Sequence, residues 1–239
     1  SSNKQVKITP AASNEHNTMK KSEWLILIGL LMLSFTPSIG GVFRLLELGL
    51  GITLEFMPKN PRVQSFPVPV EFHLISSIPY CIIGAFQFLP SIRRNHLKWH
   101  RLAGKFLVCT GLVSALSGLW MTHYYFFPES IQGELLYFVR IIVGVSMIGS
   151  ILLGLSFVLK KKIAQHKAWM IRAYALGQGA GTQAIIGISW LLIVGEESTG
   201  VTRDILMTTS WLINVIIAEW SIYKLTPRSS SSFKRDYLR

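Results

Sequence analysis

Charge is what this sequence has least of. Asp, Glu, Lys and Arg make up 15% of its 239 residues, against roughly 25% in a soluble domain. That deficit excludes a chain whose whole surface faces water. Cysteine is scarce too. Cys81 and Cys109 are the two thiols, and both lie inside apolar stretches. Separate buried thiols are packing residues, not a disulfide framework. Catalytic triads, paired catalytic carboxylates and Cys/His zinc frameworks are all missing, so no reaction class is written in the motifs. The GQGAG run at 177–181 has the composition of a phosphate loop. It lies within an apolar stretch and follows no strand, which excludes a nucleotide site.

Apolar sequence is what remains. Half of the residues are hydrophobic, and they gather at 24–48, 70–91, 102–124, 135–159, 169–194 and 205–225. Each stretch reaches the roughly 20 residues needed to cross the hydrocarbon core. The fold class expected is therefore all-α, a polytopic membrane helix bundle of about six transmembrane helices. Residues 23–225 form its transmembrane domain, between a polar tail at 1–22, expected to be disordered, and a basic tail at 226–239. Lys20 and Lys21 before an apolar run also fit a signal peptide, but the run is long and lacks an A-x-A site, so an uncleaved anchor is expected. Pro37, Gly40 and Gly41 should loosen the first helix. Residues 49–69, with Pro58, Pro61, Pro67 and Pro69, read as an irregular connector.

The net charge of +12 would suggest nucleic acid on a soluble protein. Here the cations sit in short connectors and tails, so no nucleic-acid partner is expected. With the N-terminus inside, nineteen Lys and Arg fall on the inner side and five on the outer: Arg44, Lys59, Arg62, Arg140 and Arg203. Acidic residues lean the other way. Such bias orients membrane proteins, and it puts both termini in the cytoplasm. The inner connectors RRNHLKWHR at 93–101 and KKKIAQHK at 160–167 would then lie against anionic lipid headgroups.

Lipid tails do not drive helices together, so close packing must. Gly104, Gly111 and Gly118 recur every seven residues. Ser146, Ser150 and Gly154 recur every four, as do Ala173, Gly177 and Gly181. These stripes suit helix packing; they would also make room for a flat cofactor.

Ionisable groups within spans are costly and are functional candidates by default. An outer layer holds Arg44, Glu47, His73, His123 and Arg140, with Gln183 deeper; Arg140 would reach the outer headgroups. An inner layer holds Gln87, His96, His100, Arg101, His166, Arg172 and Glu219. Histidine ligates haem iron. His73 with His123, and His100 with His166, could clamp two haems at opposite faces, so haem b is the cofactor to consider. Interfacial histidines are equally at home without one. His96 and His100 stand at i, i+4, a metal spacing, but Arg93, Arg94, Lys98 and Arg101 repel cations there, and no metal site is expected. Arg172 and Glu219 read as a buried ion pair or as a proton or anion site. With Gln87 and Gln183 they could line a ligand pocket.

Two segments carry a family likeness: residues 73–122, from HLISSIPY to SGLWMT, and HKAWMIRAYALGQGAGTQ at 166–183. His73, Gly84, Gln87, His100, Arg101, Gly104, His166, Trp169, Met170, Arg172 and Tyr174 stand where the pattern has them. In these segments the chain resembles the bacterial membrane-protein family catalogued as domain of unknown function 2306. The resemblance implies a multi-span protein of the bacterial cytoplasmic membrane and brings no activity with it. His123 is not part of the pattern.

Three functions remain open. One is a b-type haem protein moving electrons across the membrane, through His73, His100, His123 and His166. Another is a non-haem protein that binds, transports or modifies a small amphiphile, with Arg172, Glu219, Gln87 and Gln183 at its pocket. The last is an assembly factor without chemistry of its own, whose small-residue stripes would meet a second copy or a membrane partner.

Overall fold

The structure, a computed structural model, describes residues 19–56 and 60–225. Most of the tail expected at 1–22, all of that at 226–239, and Pro58 and Lys59 lie outside the described residues. Among those residues the chain forms nine helices and no strand: α1 Lys21–Leu50, α2 Pro61–Ser65, α3 Val68–Gln87, α4 Pro90–Asn95, α5 Leu97–Tyr124, α6 Glu134–Leu159, α7 Ile163–Gly177, α8 Gly179–Val194 and α9 Gly200–Leu225. Five of them, α1, α3, α5, α6 and α9, are long and apolar enough to cross a membrane, and α7 with α8, bent by 40° at their break, are so as a pair, which gives five or six candidate spans.

Several helices start earlier than hydropathy implies. Lys21 and Ser22, assigned to the tail, already belong to α1. α5 begins at Leu97 rather than 102, and α7 at Ile163 rather than 169. Charged residues continue a helix readily into the headgroup region, so hydropathy marks the lipid boundary and not the helix boundary. α1 has 30 residues, roughly 45 Å at 1.5 Å per residue, longer than the ~30 Å hydrocarbon core. The loosening expected from Pro37, Gly40 and Gly41 does not interrupt it. Gly41 instead lets α3 approach: a Cβ there would stand 3.0 Å from the Leu74 side chain. α1 ends at Gly51, in the left-handed region at φ 63°, where an L side chain is strained. The connector expected to be irregular contains α2, opened by Pro61 at its first position.

α3 packs on α5, α5 on α6, α6 on α7, and α7 touches α3, which closes a four-helix ring. α1 lies against α3 and α8, and α9 against α7 and α8. Tyr80, Leu107, Met147, Ile151, Ala173 and Tyr174 fill the core. Outward-facing residues are apolar as well: Leu102 is 71% exposed, Leu192 79% and Ile193 84%. Only lipid gives such a surface a favourable solvent.

The glycine stripes hold side chains. A Cβ on Gly111 would meet the Tyr80 ring at 2.6 Å, and one on Gly177 would meet the same ring at 2.7 Å. One on Gly84 would meet Tyr174 at 2.5 Å, and one on Gly154 would meet Met170 at 2.7 Å. Gly181 accommodates backbone: its Cβ would lie 2.2 Å from the Leu33 carbonyl oxygen. The stripes at 104–118 and 173–181 therefore serve packing within the chain.

The break at Gln178 frees backbone carbonyls in a region without water, and each needs a donor. Neighbouring helices supply them. Asn214 Nδ2 donates to the Ala175 carbonyl (3.1 Å), Trp211 Nε1 to Leu176 (3.2 Å) and Cys81 Sγ to Gly177 (3.6 Å). Thr182 Oγ1 donates to Asn214 Oδ1 at 2.7 Å. Gln178 itself donates to Ser34 Oγ (2.8 Å) and to the Tyr174 hydroxyl (2.6 Å), which donates on to the Cys81 carbonyl (2.7 Å).

Candidate functional site

The bundle has two unlike ends. The basic end carries the connectors 93–101 and 160–167. The far end gathers α2 and the α5–α6 and α8–α9 connectors: Tyr125 Oη donates to the Phe66 carbonyl at 2.6 Å, and Gly200 N to Ser130 at 3.0 Å. Asp204 of α9 is buried and caps α6, accepting from Gly133 N (3.1 Å) and Leu136 N (3.2 Å), one bond on each carboxylate oxygen.

A cavity of about 340 Å³ opens within the far half of the bundle, among α1, α3, α5, α6, the α7–α8 break and α9. Its polar walls include His73, Ser77, Arg140, Gln178 and Gln183. His73 Nδ1 donates to the Ser114 carbonyl of α5 at 2.9 Å. A carbonyl has no proton to give, so Nδ1 carries the hydrogen and the Nε2 lone pair stays free in the neutral ring. Gln183 Nε2 reaches the Met207 carbonyl at 3.4 Å. Arg140 lines the cavity, donates to Gln132 Oε1 and stacks 5.3 Å from the centroid of Phe127, both in the α5–α6 connector. Beside this cavity lies an apolar hollow of about 450 Å³ between α1 and α3, lined by Met32, Phe35, Ile39 and Ile82 among others. Ser34, Ser38 and Ile78 line both.

The other candidate residues fall elsewhere. His123 is exposed, with Nδ1 3.0 Å from the Tyr137 hydroxyl, and it does not line the cavity that His73 lines. The outer histidine couple expected for a haem therefore does not share a site. At the basic end His166 Nδ1 donates to the Gly154 carbonyl at 2.8 Å. His100 lies within electrostatic reach of His166, and its buried Nδ1 has no hydrogen-bond partner. Gln87 ends α3 there with a buried, unpartnered Nε2. Arg172 and Glu219 do pair, in a two-pronged contact of 2.6 and 2.8 Å, with Trp169 stacked 4.6 Å from the guanidinium. The pair sits on the periphery, 30% and 47% exposed, rather than buried as expected, and lines neither hollow. Of the expected pocket residues only Gln183 reaches the cavity. Among the described residues no group of three or more His, Cys, Asp or Glu could hold a metal ion.

Several site residues had escaped notice. Gln178 was hidden in the GQGAG run, although a Gln between glycines inside a span is itself a sign of a broken helix. Arg62 and Phe127 lie in connectors, and nothing in their spacing points to a shared ring contact. The family motif gains a physical account. His166 and Met170 both meet Gly154, Tyr174 fills the place opposite Gly84, and Arg172 holds α9 through Glu219.

No curated protein and no solved structure matches the chain. A family described as "Predicted membrane protein (DUF2306)" matches residues 70–222, from the second span to the last, and takes in His73, Arg140, the break at Gln178 and Arg203. Matched over more than half of its length, the chain belongs to that family of membrane proteins.

Proposed function

We propose that this protein binds a small amphiphile inside the membrane, with the polar head in the far-half cavity and the apolar tail between α1 and α3. The observation that carries this reading is the shared wall. A mostly apolar cavity that carries His73, Arg140 and Gln183 meets a more strictly apolar hollow at Ser34, Ser38 and Ile78, which offers one molecule both environments. The cavity's volume, about 340 Å³, is near the lower end of small-molecule sites, roughly 300–1,000 Å³. A broken span beside the cavity is a further support, because interrupted helices recur at substrate sites in membrane transporters. The test uses the full chain in phosphatidylcholine nanodiscs, titrated with dodecanol and followed by its thermal-unfolding midpoint. Wild type should rise saturably. Ser77→Phe, which fills the cavity, should abolish the rise while leaving the ligand-free midpoint near wild type. A saturable rise of the same size in that variant would overturn the reading.

A second reading is b-type haem at the basic end, held by His100 and His166. One observation favours it. The bond from His166 Nδ1 to the Gly154 carbonyl orients that ring and leaves Nε2 free, as ligating histidines require. Haem would supply reversible one-electron chemistry. Purified protein, oxidised and then reduced with dithionite, should show a Soret band that shifts on reduction and that is lost in His100→Ala and His166→Ala. A colourless protein from haem-replete cells removes this reading and leaves the first untouched.

A further inference from the structure

The four outer arginines are not scattered. Arg44 pairs with Glu47. The other three gather about Arg140 and Phe127, which line the far half of the cavity, although Arg62 and Arg203 do not line it themselves. The guanidinium of Arg62, from α2, lies 4.8 Å from the centroid of Phe127, and that of Arg140, from α6, lies 5.3 Å from the same ring. Arg203, in the first turn of α9, is within electrostatic reach of Arg140. Like charges brought together at the edge of a membrane are costly unless something offsets them. Protein carboxylates do so only in part. Among the described residues the ion pairs are Arg44–Glu47 and Arg172–Glu219, and neither involves these three. Asp204 is close enough to act on Arg140, while its oxygens also accept from the α6 amides. The Nε atoms of Arg62 and Arg203 are buried without an acceptor. Gln132, which accepts from Arg140, is neutral.

We infer that Arg62, Arg140 and Arg203 form an anion site beside the far half of the cavity, built for the phosphate head of an amphiphile. The chemistry is specific in two respects. Guanidinium forks match phosphate oxygens. The Phe127 ring holds two of the forks by cation–π contact, so they are oriented before the anion arrives. This inference rests on the amphiphile reading above and names the head that the site selects.

The test again uses the full chain in phosphatidylcholine nanodiscs, titrated separately with dodecyl phosphate, dodecanol and inorganic phosphate. Dodecyl phosphate should bind at least about tenfold more tightly than dodecanol, the size of one or two charged hydrogen bonds. Arg62→Gln and Arg203→Gln, both at the edge of the fold, should each weaken dodecyl phosphate several-fold and leave dodecanol unchanged. Arg140→Gln should weaken it most, and Arg140→Lys should restore part of the loss. Equal binding of dodecyl phosphate and dodecanol, unmoved by the arginine variants, would overturn the anion site while the amphiphile pocket stands. Binding of inorganic phosphate as tight as that of dodecyl phosphate, lost in the same variants, would uphold the anion site as one for free phosphate and overturn the tail's part in it. Absence of saturable binding by all three probes would overturn both.

Discussion

The indole nitrogen of Trp211 stands 3.2 Å from the carbonyl oxygen of Leu176, and the bond ties α9 to the break in the fifth span. Asn214, three residues on, does the same for the Ala175 carbonyl. Trp211→Phe keeps the ring and removes one of the carbonyl's two donors, the other being Gln178 N. The expected cost is about 0.5–1.5 kcal/mol, read as a lower thermal-unfolding midpoint in detergent. Asn214→Leu should cost a similar amount. Two unchanged midpoints would mean that the break is not held by α9.

Gly181 and Gly187 lie on the same helix and should respond differently. A Cβ on Gly181 meets the Leu33 carbonyl, whereas one on Gly187 meets nothing within 4 Å. Backbone cannot move aside as a side chain does. Gly181→Ala should destabilise by about 1–3 kcal/mol and weaken disulfide crosslinking between cysteines introduced into α1 and α8. Gly187→Ala should be neutral or slightly stabilising, because alanine favours helix. Equal behaviour of the two variants would rule out the close approach of α1 to α8.

Asp204 caps α6 from a distant part of the chain. Asp204→Ala should cost about 0.5–2 kcal/mol and fray the α6 start, measured as faster amide exchange at 134–137. The cap also requires Gly133, where a Cβ would lie 2.6 Å from Asp204 Oδ2. Gly133→Ala should therefore reproduce the loss.

The periphery of the bundle supplies a contrast with the cavity. Arg172 and Glu219 line neither hollow. Arg172→Gln should lower the unfolding midpoint modestly, since a partly exposed ion pair contributes about 1 kcal/mol or less, and dodecanol binding should be unaffected. Loss of binding in a folded Arg172→Gln protein would move the ligand to the basic end.

The charge bias predicts an orientation that is open to direct measurement. In a Cys81→Ser, Cys109→Ser background, a cysteine placed at Glu196 should react with a membrane-impermeant maleimide added to intact cells. One placed at Lys161 should react only after the membrane is opened. The reverse pattern would overturn the positive-inside assignment.

How far the sequence could be read depended on the range of the interaction. The spans at 70–91, 135–159 and 205–225 were legible because membrane insertion depends on a local sum of transfer free energies. The ends of α5 and α7 were misplaced because lysines and arginines, which hydropathy penalises, are good helix formers in the headgroup region. His73 and Gln183 were legible as site candidates because polar groups inside spans are costly wherever they point. The pairing of His73 with His123 failed at the next step, since matched depth says nothing about which side of a helix faces a neighbour.

What the sequence determined by itself is the membrane as solvent, the placement of the long apolar helices, and which polar residues needed explaining. Tertiary structure alone decided where each of them is used. It set Arg140 in a cavity wall and, with Arg62, on one phenylalanine ring, committed Asp204 to a helix start and set Arg172 with Glu219 on the periphery. The physical reason is that the cost of a charge in lipid is a property of the residue, whereas its offset depends on partners brought close by the packing of other helices.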